Sequence, residues 1–239
     1  MSDPELLVVL PVYNERESIR HVIDGWMAVL ARSVPEFAIL AINDGSTDDS
    51  GKILRELQAE YGSRLKVLAR GNKGHGQTCL EGYRIAEDRG IPYVLQIDSD
   101  GQSDPRFFHD FWVQRNDYDV IYGKRRRLDG WQRIAASLAL RTLLRLLEGT
   151  DCTDANVPYR LMNTAACRSG FHAIPETIGL ANVALAVLLK RDKKLRHGSI
   201  PIDFPPRFGG EPSVPMGKFL IKGYELFAQL RHLKHHPAK

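Results

Sequence analysis

Tyr93-Val-Leu-Gln-Ile-Asp98-Ser-Asp100-Gly-Gln102 is an apolar run that ends on two carboxylates one residue apart. The run is short and rich in aliphatic residues, the pattern of a strand buried on both faces. Four more runs have the same character: Leu6 to Pro11, Phe37 to Asn43, Leu65 to Ala69 and Val120 to Gly123. Amphipathic stretches lie between them. One carries Ile19, Val22, Ile23, Trp26, Met27 and Leu30 on a single helical face, and another carries Ile53, Leu54 and Leu57. Strand and helix alternating in this way predict an α/β fold with a mainly parallel central sheet flanked by helices. Its ligand site lies beyond the carboxyl ends of the strands.

Polar segments occupy that edge: Pro11-Val-Tyr-Asn-Glu15, Asn43-Asp-Gly-Ser-Thr-Asp48, Arg70 to Gly76, and Asp98 to Gln102. Two acids as close as Asp98 and Asp100 repel each other unless a cation or a shared proton compensates. A hard ion with oxygen ligands, Mg²⁺ or Mn²⁺, meets that need, and it keeps sites for water and substrate phosphate. A polar turn that merely ends the strand is the alternative. Asn43 to Asp48 reads equally as strand-turn-helix punctuation, with Asp44 set to accept a hydrogen bond from a base or ribose. Gly71, Gly74, Gly76 and Gly82 match neither a P-loop nor a dinucleotide fingerprint. Either they only shape a flexible turn, or that turn brings Lys73 to a phosphate.

The second half of the chain is less regular. Helices are expected over Trp131 to Leu147, Leu180 to Lys190 and Met216 to Leu233, and a strand over Ile200 to Phe204, followed by a proline-rich loop to Pro215. Lys124, Arg125, Arg126 and Arg127, with Arg133, Arg141 and Arg145 beyond, form the strongest cationic feature. A helix carrying them either lies in an anionic membrane surface or packs on its own domain with solvated arginines. The chain has 239 residues, 43% of them hydrophobic, which suits one large domain. A net charge of +4 fits an anionic partner, but without a recognition module it does not indicate nucleic acid. Cys79, Cys152 and Cys167 are far apart, so neither a disulfide framework nor a cysteine zinc site is expected. No signal-like segment opens the chain and no apolar run approaches the roughly 20 residues needed to cross a bilayer. The expectation is a cytoplasmic protein whose membrane contact is peripheral, on the inner face.

Taken in order, the segments beginning at Pro11, Asn43, Asn72 and Asp98 resemble the Pro-X-Tyr-Asn-Glu, Asn-Asp-Gly-Ser-Thr-Asp, Asn-X-Gly-X-Gly and Asp-X-Asp motifs of family 2 glycosyltransferases. That family has the GT-A fold, and within it the likeness is to dolichyl-phosphate and polyprenyl-phosphate sugar synthases. The resemblance implies a single GT-A domain over residues 1–215, its donor-binding half running to about 123 and its acceptor half from 124. An amphipathic helix and basic tail would occupy 216–239. It also implies a metal-dependent, inverting enzyme that uses a UDP- or GDP-sugar. The acceptor is a polyprenyl phosphate or a related lipid-linked glycan, or alternatively a saccharide hydroxyl.

Carried over by position, the resemblance puts Pro11, Tyr13, Glu15 and Asp44 on the nucleoside, with Lys73 and Asp98 also on the sugar-donor side. Asp98, Asp100 and Gln102 form its metal and diphosphate site. Gly123-Lys-Arg125 resembles a Gly-Ser-Arg whose arginine meets phosphate, and Arg207 to Ser213 resembles an acceptor-side Arg-X-X-Gly-Glu-Ser loop. Asp100, Arg125 and Arg207 are the implied catalytic groups; Arg125, Arg133, Arg207 and Ser213 face the acceptor. Arg207 either grips a lipid phosphate with its planar fork or pairs with Glu211. Asp151, Asp154 and Glu176 are candidate bases, though each reads first as an ordinary loop acid; a phosphate acceptor, already anionic, needs none. Two departures stand out: Pro212 before Ser213, and the absence of the C-terminal membrane spans that many relatives carry.

Overall fold

Every residue of β1 (Leu6–Val12) and β2 (Phe37–Asp44) is buried, as strands covered on both faces must be. The computed structural model describes residues 3–126, 157–178, 180–203 and 205. The other elements, in chain order, are α1 (Ile19–Ser33), α2 (Ser50–Tyr61), β3 (Leu65–Arg70), α3 (His75–Asp88), β4 (Tyr93–Ile97), α4 (Phe108–Val113) and β5 (Val120–Arg126). They continue with β6 (Tyr159–Asn163), α5 (Thr164–Ala173), α6 (Ala181–Arg191) and β7 (His197–Asp203). The strands form one sheet in the order β3-β2-β1-β4-β6-β5-β7. β6 alone runs against its neighbours; the other six strands are parallel. The carboxyl ends of β1 to β5 therefore open on one edge.

The six expected strands appear within three residues of their anticipated ends. The buried face of α1 is the one its periodicity marks, Ile19 to Leu30, and Trp26 from it packs edge-on against Phe108 at 6.0 Å. Cys79 and Cys167 are buried free thiols. The helices expected over 131–147 and 216–233, the tail to 239 and Cys152 lie outside the described residues. Among the described residues no helix is long and apolar enough to cross a membrane.

One expectation is corrected. The glycine-rich segment is not a flexible turn throughout, because Gly76 and Gly82 stand inside α3. A Cβ on Gly82 would sit 2.4 Å from Val9 Cγ1, and one on Gly76 would sit 3.0 Å from the Ala181 backbone nitrogen. These glycines thin the helix so that it lies close on β1 and on α6. Only Gly74, at φ +87, does turn work at the start of α3.

Gly82→Ala tests this packing. Overpacking a tight core costs about 1–3 kcal/mol, more than the roughly 1 kcal/mol that alanine gains in a helix, so the urea midpoint should fall. A second expectation concerns pH. Burial, with the charge of Lys190, pushes the His197 imidazole down to about 4. The unfolded ring titrates near 6.5, so the stability it contributes is full above that value and is lost as pH falls toward 4. His197→Phe should therefore shrink the drop in urea midpoint between about pH 7.5 and about pH 5.

Candidate active site

The loop after β1 is tied to its neighbours before any ligand is considered. Asn14 adopts the left-handed region at φ 55, which asparagine tolerates better than most residues. Its N–H donates to Ser46 Oγ at 3.0 Å and its Oδ1 accepts from Thr47 N–H at 2.8 Å. Glu15 N–H donates to Ser50 Oγ at 2.8 Å. Ser18 Oγ lies 2.9 Å from Glu15 Oε2 and 2.8 Å from Ser99 O, while Ser99 Oγ donates to Pro11 O at 2.8 Å. The segments that follow β1, β2 and β4 thus share one hydrogen-bonded seam. Glu15 is buried at this seam, whereas Tyr13 stands 43% exposed beside it.

Asp44 has a structural task that the sequence did not reveal. It is 3% exposed at the end of β2. Its Oδ1 accepts from Lys73 N–H at 2.8 Å and its Oδ2 from Gly74 N–H at 2.9 Å. The Arg70 guanidinium pairs with the same carboxylate and also reaches Glu81 Oε2 at 2.6 Å and Thr78 Oγ1 at 2.9 Å. Lys73 itself turns to Glu176, Nζ to Oε1 at 3.7 Å.

Asp98 and Asp100 lie on the turn after β4, where Gly101 takes φ +80. Asp98 Oδ1 is 2.8 Å from His75 Nε2, and Asp100 Oδ1 accepts from Gln102 N–H at 3.0 Å. The Gln102 amide donates to Pro205 O at 2.7 Å, which leaves its Oε1 as the atom able to ligate. Desolvation on its own would lower the His75 pKa, but its contacts with the Cys79 sulfur and the Asp98 carboxylate outweigh it and hold the ring well above its ordinary value. Among the described residues no three His, Cys, Asp or Glu side chains converge on one point. Asp98, Asp100 and Gln102 therefore supply hard oxygen atoms but less than a full shell. Such a set suits Mg²⁺ or Mn²⁺, which retain water and take ligands from substrate phosphates, better than an all-protein cage.

The edge brings together Pro11, Tyr13, Glu15, Asp44, Lys73, Asp98, Asp100 and Gln102, each at the carboxyl end of a strand or in the segment that follows one. Arg125, half-buried near the carboxyl end of β5, belongs to the same edge because β5 runs parallel to β4. Arg133, Arg207, Ser213, Asp151 and Asp154 lie outside the described residues. Arg70, His75 and Asn182 were missed. The only signal for the first two was their position, one closing a strand and one inside the glycine-rich segment.

A family model described as glycosyl transferase family 2 matches residues 7–169. The chain is 26% identical over 223 residues to the undecaprenyl-phosphate 4-deoxy-4-formamido-L-arabinose transferase of Edwardsiella ictaluri, covering 92% of this chain and 66% of that one. It is 28% identical over 162 residues to the polyprenol monophosphomannose synthase of Mycolicibacterium smegmatis, covering 64% and 60%. The chain spans between 45% and 66% of the length of such curated relatives. Among solved structures, the Mycobacterium tuberculosis glucosyl-3-phosphoglycerate synthase in complex with Mn²⁺, UDP and glucosyl-3-phosphoglycerate superposes with a TM-score of 0.69 at 18% identity. That match covers 99% of this chain and 82% of the other. The fold is the single-domain GT-A fold.

Arg70→Ala would strip a buried carboxylate of its cation, a change that costs about 3–5 kcal/mol in comparable buried pairs. Denaturant unfolding should show a loss of that order. Arg70→Lys should recover only part of it, because one ammonium cannot hold Asp44, Glu81 and Thr78 in the fork geometry.

Proposed function

The chain belongs to glycosyl transferase family 2, and on that footing we propose that it is a metal-dependent, inverting glycosyltransferase that moves a sugar from a UDP- or GDP-sugar to a polyprenyl phosphate. The observation that carries this reading is the convergence, at one sheet edge, of the oxygen set Asp98, Asp100 and Gln102 with the Asp44 turn and Arg125. Two relatives whose names specify undecaprenyl phosphate and polyprenol as the carrier support the acceptor class. A structural neighbour bound to both Mn²⁺ and UDP supports the cofactor and the donor.

On this reading Pro11, Tyr13, Glu15 and Asp44 hold the nucleoside, and residues up to about 123 form the half that binds the sugar donor. Asp98, Asp100 and Gln102 hold the cation, whose chemistry when bound is to neutralise charge on the departing diphosphate. Lys73 flanks that diphosphate and Arg125 binds phosphate across the site. Arg125, with Arg133, Arg207 and Ser213, serves the acceptor half. An acceptor phosphate oxygen attacks the anomeric carbon from the face opposite the nucleotide. In the same step the carbon–oxygen bond to the diphosphate breaks as the new bond forms, leaving its electron pair on the leaving group. The attacking oxygen carries no proton, so no side chain has to remove one. The protein would work at the inner face of the cytoplasmic membrane as a peripheral enzyme.

Incubation of UDP- and GDP-sugars with Mn²⁺ or Mg²⁺ and polyprenyl phosphate should yield a glycolipid. Asp100→Asn should reduce its formation by about 10²- to 10³-fold, the usual scale for losing one contact to developing charge. Full activity in excess chelator would overturn the metal assignment. Transfer to a glycan hydroxyl with none to polyprenyl phosphate would overturn the acceptor assignment.

A further inference from the structure

His75 opens α3 and stands between the acid turn and a small buried polar cluster. One side of the ring presents Nε2 to Asp98 Oδ1 at 2.8 Å. The other side presents Nδ1 to Asn182 Nδ2 at 3.4 Å and to Cys79 Sγ at 3.9 Å. Asn182 and Cys79 are themselves 3.5 Å apart, at 4% and 0% exposure. The backing cannot drift, because Gly76 one residue on lets the backbone of Ala181 approach so closely that a Cβ there would be 3.0 Å away. The Asn182 carboxamide is thus pinned behind the ring by the contact between α3 and α6. Its own Oδ1 is buried with no hydrogen-bond partner, a cost accepted at a position that packing alone would give to an apolar residue.

We infer that His75 is a positioning residue for Asp98, backed by Asn182 and Cys79, and that it fixes which oxygen of that carboxylate is offered to a divalent cation. The inference rests on the proposed metal reading of Asp98 and Asp100. Nε2–H engages Oδ1 and sets the rotation of the carboxylate, leaving Oδ2 for the cation. The same hydrogen bond draws charge from one of two acids that would otherwise repel each other across a single residue. Removing a group that orients a ligating side chain typically costs 10–100-fold in metal affinity. The ring itself need not touch the metal.

The test is Mn²⁺ binding, followed by the electron paramagnetic resonance of free Mn²⁺ in protein saturated with UDP or GDP, whichever it binds. His75→Ala should weaken Mn²⁺ affinity by about 10-fold or more, while nucleotide affinity without metal and the thermal midpoint stay near the parent values. His75→Gln, whose amide nitrogen reaches the same point, should recover most of the loss. Asp98→Asn and Asp100→Asn serve as references. If they weaken Mn²⁺ binding and His75→Ala does not, the positioning role is wrong and the metal reading stands. If none of the three variants affects Mn²⁺ affinity, both fall. Equal loss in His75→Gln and His75→Ala would also overturn the inference, because the effect would then come from packing rather than from the Nε2–H bond.

Discussion

Asp44 is a carboxylate taken almost wholly out of water, and the edge at the carboxyl ends of β2 and β3 is organised around satisfying it. An ion so placed carries a desolvation penalty of several kcal/mol unless charge and hydrogen bonds offset it. Arg70 supplies the charge, and the N–H groups of Lys73 and Gly74 supply the bonds. Meeting that demand bends the chain after β3 back toward β2. Gly45 permits the bend to close, since a Cβ there would stand 2.8 Å from the Asn72 nitrogen. The bend in turn decides where α3 begins, and its first residue is His75. One buried charge therefore fixes both the turn and the approach of the imidazole to Asp98.

From that start α3 runs between the sheet and α6. On one side it lies against β1 through Gly82, and on the other against α6 through Gly76. Gln77 donates to Pro175 O and Ile178 O at 3.1 and 3.0 Å, and Arg84 donates to Phe171 O and Ile174 O at 3.0 and 2.8 Å. These bonds anchor the segment after α5, which carries Glu176, to the same helix that positions His75. The seam of Ser18, Ser99 and Pro11 does the equivalent work between β1 and β4. The acid turn is thus supported from two directions by side chains that need touch no substrate.

Legibility in the sequence followed from how local each signal was. β1, β2 and β4 were readable because strands buried on both faces are written as continuous apolar runs, and the edge strand β3 because Leu65, Val67 and Leu68 still form a short apolar run. β6 was not, since Tyr159-Arg-Leu-Met-Asn163 carries a charge at its second residue, and Arg160 is fully buried there over the Tyr122 ring at 5.1 Å. α3 was hidden for a different reason. Glycines that a tight interface requires look, in sequence, like glycines that a turn requires. Asp98 and Asp100 announced themselves as an acid pair at a strand end. Arg70 with Asp44, His75 with Asp98 and Asn182 with His75 are separated by 26, 23 and 107 residues, so only the folded chain makes them neighbours. The family, by contrast, was legible from four short motifs in order, and the family model covering residues 7–169 agrees with it.

An incomplete oxygen set has a functional consequence on the proposed reading. Two carboxylates and one amide oxygen leave a cation of the Mg²⁺ or Mn²⁺ type short of its preferred six ligands. The shell closes only when a diphosphate brings oxygens of its own. Metal and sugar donor then bind with positive coupling, each raising the affinity for the other by the same factor. A full protein cage would hold the ion before the donor arrived and would leave it little reason to follow the charge that develops on the diphosphate as the glycosidic bond breaks. Keeping the shell open makes the interaction strengthen with that charge, which is the difference between binding a substrate and stabilising its transition state.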